Sequence, residues 1–364
     1  MLKKWALVFV LVSTIIKCET GNLEDRTTLP KYPNTSLEKV IQLDRPPGNI
    51  SASASGRIFF SFFPQGSPPI KVAELKNGQV LPFPNQNFQK NFNTVLSVRV
   101  DDKNRLWTLD YGNLGLTRPK VYAFDIETGA TIHEYEFPVS IAPKDSLLND
   151  MQIDTVTETI FITDTSPLIP DPGLVVYDIA TKKARRLLKD HVSVVGERNE
   201  IVVNGAPFQV AGVSIIFNAD SIALDQNREW LYFAPFTSGE LYRAKTTVLR
   251  DSTLTAAQLA AQVEEYSLKT MSDGISIDTG GNIYVTDAEH SAVNLIDPDK
   301  KITTLFKDPS FRWPDGFSYA PDGYMYLTCS ALNEVFLQLD STILSRGPYY
   351  IYRFKPEAEG IIGR

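Results

Sequence analysis

Apolar and polar residues alternate with a period of two through most of the chain. The alternation comes as pairs of short runs separated by polar or glycine-containing clusters, the pattern of half-buried strands joined in hairpins. "MSDGISIDTGGNIYVTD" (Met271–Asp287) is one such pair, and "RWPDGFSYAPDGYMYLTC" (Arg312–Cys329) repeats it almost phrase for phrase. In each, an Asp stands ten residues before the first apolar residue of the second run: Asp273 before Ile283, and Asp315 before Met325. "NDMQIDTVTETIFITD" sets Asp150 ten before Ile160, and "ADSIALDQNREWLYFAP" sets Asp220 ten before Trp230. "VLSVRVDDKNRLWTLD" and "GNISASASGRIFFSFFP" keep the pattern with Leu96 and Gly48 at the Asp place.

The six copies start at Gly48, Leu96, Asp150, Asp220, Asp273 and Asp315, at intervals of 48, 54, 70, 53 and 42 residues. Several continue into a third strand, a turn and a fourth strand, as in "KVYAFDIETGATIHEYEF" and "GLVVYDIATKKARRLL". Four strands per unit of about fifty residues, six times over, predict an all-β, six-bladed β-propeller. "LEKVIQL" (Leu37–Leu43) and "YYIYRF" (Tyr349–Phe354) should pair in one blade and latch the ring. "TAAQLAAQVEEY" (Thr255–Tyr266) carries a capping box, Thr255 with Gln258, and predicts one short decorating helix. The longest interval holds a stretch, 189–212, expected as an excursion over one face.

Residues 1–18 read as an export signal: Lys3 and Lys4, then the apolar run "WALVFVLVSTII", too short to span a bilayer. Cleavage near Cys18–Thr20 gives a secreted or periplasmic protein; the alternative is a lipoprotein signal ending at Cys18, with a lipid anchor there. Residues 19–36 then form a linker, 37–356 the propeller and 357–364 a tail. No transmembrane segment follows. The net charge of −7 and the lack of a basic block argue against nucleic acid as a partner. Cys329 lies in an apolar run and is expected as a buried thiol.

The innermost strand of each blade lines the central channel, so the register brings Asp150, Asp220, Asp273 and Asp315 to one mouth, with Asn149 beside them. Gly274 and Gly316, which follow Asp273 and Asp315, would let the backbone pass closely. Convergent carboxylates need either a hard cation, Ca²⁺ or another divalent ion on oxygen ligands, or a proton held at a raised pKa. A small-molecule ligand would then bind Asn149, Asp220, Asp273 and Asp315. Asn149, Asp150, Asp220 and Asp273 are the candidate metal set, and Asp150, Asp273 and His290 the candidate catalytic groups. The blander account is that each Asp bonds only the backbone of its own turn. That account is preferred for the second-tier acids Asp154, Asp225, Asp278 and Asp322. His133 is read as structural, no two of His133, His191 and His290 stand at zinc-ligand spacing, and no serine-hydrolase or phosphate-loop motif is present.

"SDGISIDTGGNIYVTDAEHSAV", "RWPDGFSYAPDGYMYLTCSALN" and "RLWTLDYGN" resemble the major royal jelly protein and yellow family, over roughly Pro46–Phe336. Lacking the paired cysteines of insect members, the chain looks like a bacterial-type member. The resemblance implies an exported six-bladed propeller that binds a small aromatic or polar metabolite in its channel, with dopachrome-type isomerisation as the reaction to look for. A more distant similarity to gluconolactonase and regucalcin-like propellers implies an alternative, a divalent-metal-dependent lactonase-like hydrolase. There Asn149 matches one metal-binding Asn, Asp220 stands at the other Asn position, and Asp273 matches the Asp. The Glu of that set has no counterpart, and Asn49 in "PPGNIS" is the nearest oxygen donor. A non-catalytic binding or structural protein is the third expectation.

Overall fold

The computed structural model describes residues 21–167 and 171–364. The expected export signal, with Cys18, lies outside the described residues. Six four-stranded antiparallel sheets carry the fold. Their innermost strands are Pro47–Ala52, Val95–Val100, Leu148–Asp154, Ala219–Leu224, Ile275–Ile277 and Pro314–Tyr319, which define blades 1 to 6. Each innermost strand contacts the next, and the last contacts the first, so the ring closes. The sixth sheet takes its outermost strand, Glu38–Leu43, from the other end of the chain. It pairs with Tyr349–Phe354 from Leu43↔Tyr349 to Glu38↔Arg353, the expected latch.

Blades pack face to face through apolar clusters that explain the strand patterning. Trp107, Leu109 and Val121 of blade 2 meet Met151, Ile160 and Tyr177 of blade 3. Ile50 and Phe60 of blade 1 meet Tyr326 and Ile351 of blade 6. A blade lies between two neighbours, so both its faces are apolar and only its edges and turns are polar. The second-tier acids do hold turns. Asp225 accepts from the Glu229 and Trp230 amides, Asp278 from those of Gly280 and Asn282, and Asp154 and Asp322 do the same in their hairpins.

One element differs from expectation. The capping box on Thr255 and Gln258 forms, but the helix spans only Ala256–Ala260. Glu264–Leu268 is instead the outermost strand of blade 4, paired with Glu240–Lys245. Strand pairing overrides the helix-forming composition once a free sheet edge lies within reach. Among the described residues, three other short α-helices, Thr246–Arg250, Leu332–Val335 and Asp340–Ser345, and two 3-10 turns, Asn34–Ser36 and Phe88–Lys90, decorate the ring, while Gly112–Gly115 is a tight turn with Asn113 and Leu114 in left-handed conformation. Among the described residues no helix is long and apolar enough to cross a membrane.

Both end segments are docked. The segment expected as a linker pairs with the excursion through Gly21 and Asn199, then runs along the outer strand of blade 5, where Lys31 and Tyr32 amides donate to Thr304 and Leu305. The tail crosses the end of the channel where the innermost strands finish. Ser51 Oγ and Arg99 donate to the Gly363 carbonyl, and Arg364 reaches carbonyls of Ile153, Leu224 and Asp225. That end therefore has a floor.

Candidate functional site

A recurrent β-bulge builds the other mouth. The pairing of first and second strands skips Leu96 in blade 2, Asn149 and Asp150 in blade 3, Asp220 in blade 4, and Asp315 and Gly316 in blade 6. Blade 1 skips Gly48 and Asn49 in the same way. A bulge leaves a residue out of the ladder and re-aims its side chain. The freed amides find hydroxyls on the second strand: Asn49 on Ser61, Asp150 on Thr163, Asp273 on Thr286 and Gly316 on Thr328. The glycines after Asp273 and Asp315 serve strand approach. A Cβ on Gly274 would lie 2.0 Å from the Asp315 carbonyl oxygen, and one on Gly316 3.2 Å from the Asn49 Cα.

The four expected aspartates do converge: Asp220, Asp273 and Asp315 are each raised by the charge of Asp150, and Asp220 and Asp315 by that of Asp273 as well. Their partners come largely from other blades. Asp150 accepts from Ser97 Oγ at 2.6 Å and Asn49 Nδ2 at 2.9 Å, and also from the Met151 amide. Asp220 accepts from Asn149 Nδ2 at 2.5 Å. Asp273 accepts from Trp313 Nε1 at 2.7 Å, and Asp220 and Asp273 are hydrogen-bonded to each other. Asp315 lies near the Ser330 hydroxyl, which offsets part of the effect of its burial. The own-turn account, correct for the second tier, does not describe this set.

Burial is the first cause of every shift here. It lifts Asp220 and Asp315 well above the usual carboxylate range, with repulsion from neighbouring aspartates adding to it. Asp273 is pushed up to about 6 by burial, against the stabilising Trp313 N–H. Asp150 is raised by burial and pulled back by the charge of Arg99. Asp220 and Asp315 expose only 7% and 8% of their surface, while Asp150 and Asp273 expose more.

Above the carboxylates lies an aromatic cap. Trp313 is fully buried, stacks on Phe236 at 5.1 Å and 15°, and meets Phe208 edge-on at 5.5 Å. Ile201 and Val203 join it from the excursion, Phe217 from the segment leading into blade 4, Met271 from blade 5, and Phe336 from blade 6. The excursion thus covers the mouth that holds the acids, pinned there by the Val202 amide on Glu289 Oε1 at 2.8 Å.

Two buried cations went unnoticed in the sequence. Lys269 is fully buried, donates to the carbonyls of Phe236 and Thr270, and is pushed down to about 7 by burial despite attraction from Asp220. Arg99, 4% exposed, lies below the acids and bonds the tail. Trp313 was also passed over, although it stands two residues before Asp315 in the repeat. His290 does not join the aspartates. It sits beyond the second strand of blade 5, with Nδ1 on Asp287 at 2.9 Å and Nε2 3.4 Å from Asp25.

The donor set does not fit a divalent ion as it stands. Among the described residues no three His, Cys, Asp or Glu side chains are grouped closely enough to hold one. Burial and mutual interaction instead raise both Asp220 and Asp273 above the usual carboxylate range, which favours a proton on the pair. One oxygen still awaits a donor, the buried Asn49 Oδ1 beside Asp150.

A family model described as Major royal jelly protein matches residues 93–318, more than half of the chain. Major royal jelly protein 3 of Apis mellifera is 24% identical over 234 residues, covering 61% of this chain and 42% of that protein. Protein yellow of Drosophila melanogaster is 27% identical over 173 residues, covering 44% of this chain and 31% of that protein. The chain spans less than half the length of these curated relatives. Among solved structures, a gluconolactonase of Xanthomonas campestris aligns with a TM-score of 0.56 at 12% identity over 88% of each chain. Regucalcin of Agrobacterium tumefaciens, a calcium-binding protein, aligns with a TM-score of 0.57 at 13% identity over 89% of this chain and 96% of its own. At such identities the likeness is one of fold.

Proposed function

The chain belongs to the major royal jelly protein family, and on that premise we propose that it is an exported propeller that binds a small, protonated aromatic amine at the capped mouth. The observation that carries the reading is the 2.7 Å bond from Trp313 Nε1 to Asp273 Oδ2, which joins an aromatic wall to a buried carboxylate. A ligand ring would lie against Phe236, and its ammonium would face the aspartates. Burial makes such a charge pair selective, because a neutral ligand leaves the carboxylates without a partner. The aromatic faces add cation–π attraction of about 0.5–2 kcal/mol.

Isomerisation of the bound ligand needs a group that gives a proton and one that takes it. With Asp220 raised well above the usual carboxylate range and Asp273 to about 6, the pair is suited to offer both roles in one place. Export rests on residues 1–18, and N-terminal sequencing of the mature chain tests it.

The binding test is a calorimetric titration at pH 8 with tyramine, dopamine and 4-ethylphenol, which has the ring without the amine. Saturable binding of the amines, with little for the phenol, is expected. Equal binding of all three, or none of the amines, would overturn the reading. Turnover of dopachrome by the wild type, lost in Asp273→Asn, would assign the isomerase step.

A further inference from the structure

Trp313 sits in a backbone conformation that its sequence disfavours twice. Its φ is +54°, a left-handed value rare for a bulky side chain. It also precedes Pro314, whose ring favours an extended residue before it. Such strain persists only where surrounding contacts over-determine it, and it concentrates at functional sites. Here the contacts are the parallel stack on Phe236, the edge contact with Phe208 and the N–H bond to Asp273. Arg312, the preceding residue, is clamped by Glu334 and the carbonyls of Arg346 and Pro348, so the chain entering Trp313 is held firmly.

The ring and N–H of Trp313 make the contacts that an aromatic amine would make: a flat aromatic face against Phe236 and a nitrogen-borne proton on Asp273. We propose that Trp313 is an internal surrogate ligand, a positioning residue that occupies the site when it is free and is displaced by the external ligand. The strain at Trp313 gives the displacement its direction. Once a ligand nitrogen takes over Asp273 Oδ2, the indole loses the bond that holds it in the left-handed conformation. Affinity is then set by competition between two aromatic N–H donors, one tethered and one free. This rests on the amine-binding reading above.

Trp107 is an internal control. It too is fully buried and donates from Nε1 to a carboxylate, Asp101 Oδ2 at 2.8 Å, but its backbone lies in the regular strand Arg105–Asp110. In the ligand-free wild type, hydrogen exchange of the two indole N–H groups is followed by NMR. Exchange at Trp313 should be roughly tenfold or more faster than at Trp107, since the strained indole opens locally. Equal protection would overturn the inference whether or not any amine binds. In the second arm, tyramine affinity is measured at pH 8, where Asp273 is ionised, for wild type and Trp313→Phe. The variant keeps the ring and removes the competing N–H, so binding should tighten roughly tenfold, about the worth of one hydrogen bond to a charged group. Weaker or unchanged binding would show that Trp313 contacts the ligand or is merely structural, and would overturn the inference. Failure of wild type and variant alike to bind any amine would count against the functional reading, and the exchange comparison would still decide on Trp313.

Discussion

Asp220 and Asp273, acids from neighbouring blades, are buried against each other, and burial with mutual interaction raises both above the usual carboxylate range, Asp220 the further. The pair sets how stability follows pH. Asp273 lies near 6 in the folded chain against an ordinary 3.8, so between those values the folded state holds more protons than the unfolded one. Its contribution is whole below pH 3.8 and is lost as pH rises through about 6. Relative to Asp273→Asn, the wild type should lose on the order of 1–3 kcal/mol between pH 4 and 7. Melting curves of both proteins across that range check this; a constant difference would show that the carboxyl is not raised.

Asp273→Asn should also weaken tyramine binding by ~1–3 kcal/mol at pH 8, the scale for removing one buried charge partner. Asp278→Ala makes the contrast. Its carboxylate serves the Gly280 and Asn282 amides and the Tyr284 hydroxyl, so its loss should cost ~1–3 kcal/mol of stability and leave affinity unchanged. Paired melting and calorimetry would separate the two, and identical behaviour of both variants would return the repeated Asp to simple turn formation.

Gly274→Ala should be among the most damaging single changes in the ring. The added methyl would lie 2.0 Å from the backbone oxygen of Asp315, which cannot rotate away. Overpacking of this kind costs ~1–3 kcal/mol or more. Gly316→Ala, with its nearest atom at 3.2 Å, should cost less. Denaturant midpoints of the two variants give the order, and a Gly274→Ala protein as stable as wild type would refute the close approach.

Ile351 is fully buried in the strand that joins the two ends of the chain. Ile351→Ala should cost ~2–5 kcal/mol. Hydrogen exchange should then rise together in Glu38–Leu43 and Tyr349–Phe354 while Leu148–Asp154 stays protected. Loss of protection everywhere at once would mean that the sixth blade is not a separate opening unit.

The features legible in the sequence were those that repeat. Asp150, Asp220, Asp273 and Asp315 share a register, and so betrayed both the blade count and their own convergence. Features that occur once left no such trace. Lys269 reads as an ordinary polar residue in "SLKTMSD", and Arg99 as the solvent half of an alternating strand. Trp313 could have been found from its place in "RWPDG", since a bulky residue before Pro at a channel mouth is unusual. The hydroxyls that hold the bulges, Ser61, Thr163, Thr286 and Thr328, are a repeat in their own right, masked because blades 2 and 4 carry Leu109 and Ala234 there. The helix expected over 255–266 was over-extended for a different reason: composition cannot report that a sheet edge is waiting. His290 was expected by residue type, and a residue type alone does not say how far from the axis a side chain stands.

The sixth blade draws its strands from both ends of the chain, through pairs such as Glu38 with Arg353. Contacts that distant in sequence bear the full entropy of closing a very long loop before any return. Five sheets can therefore assemble from neighbouring segments as the chain emerges from the ribosome, but the sixth must wait for residues 349–354. Until then Glu38–Leu43 is an unpaired edge, open to another copy's Tyr349–Phe354 as readily as to its own. Concentrated refolding should accordingly favour exchange of this strand between molecules, and dilute refolding the single closed ring.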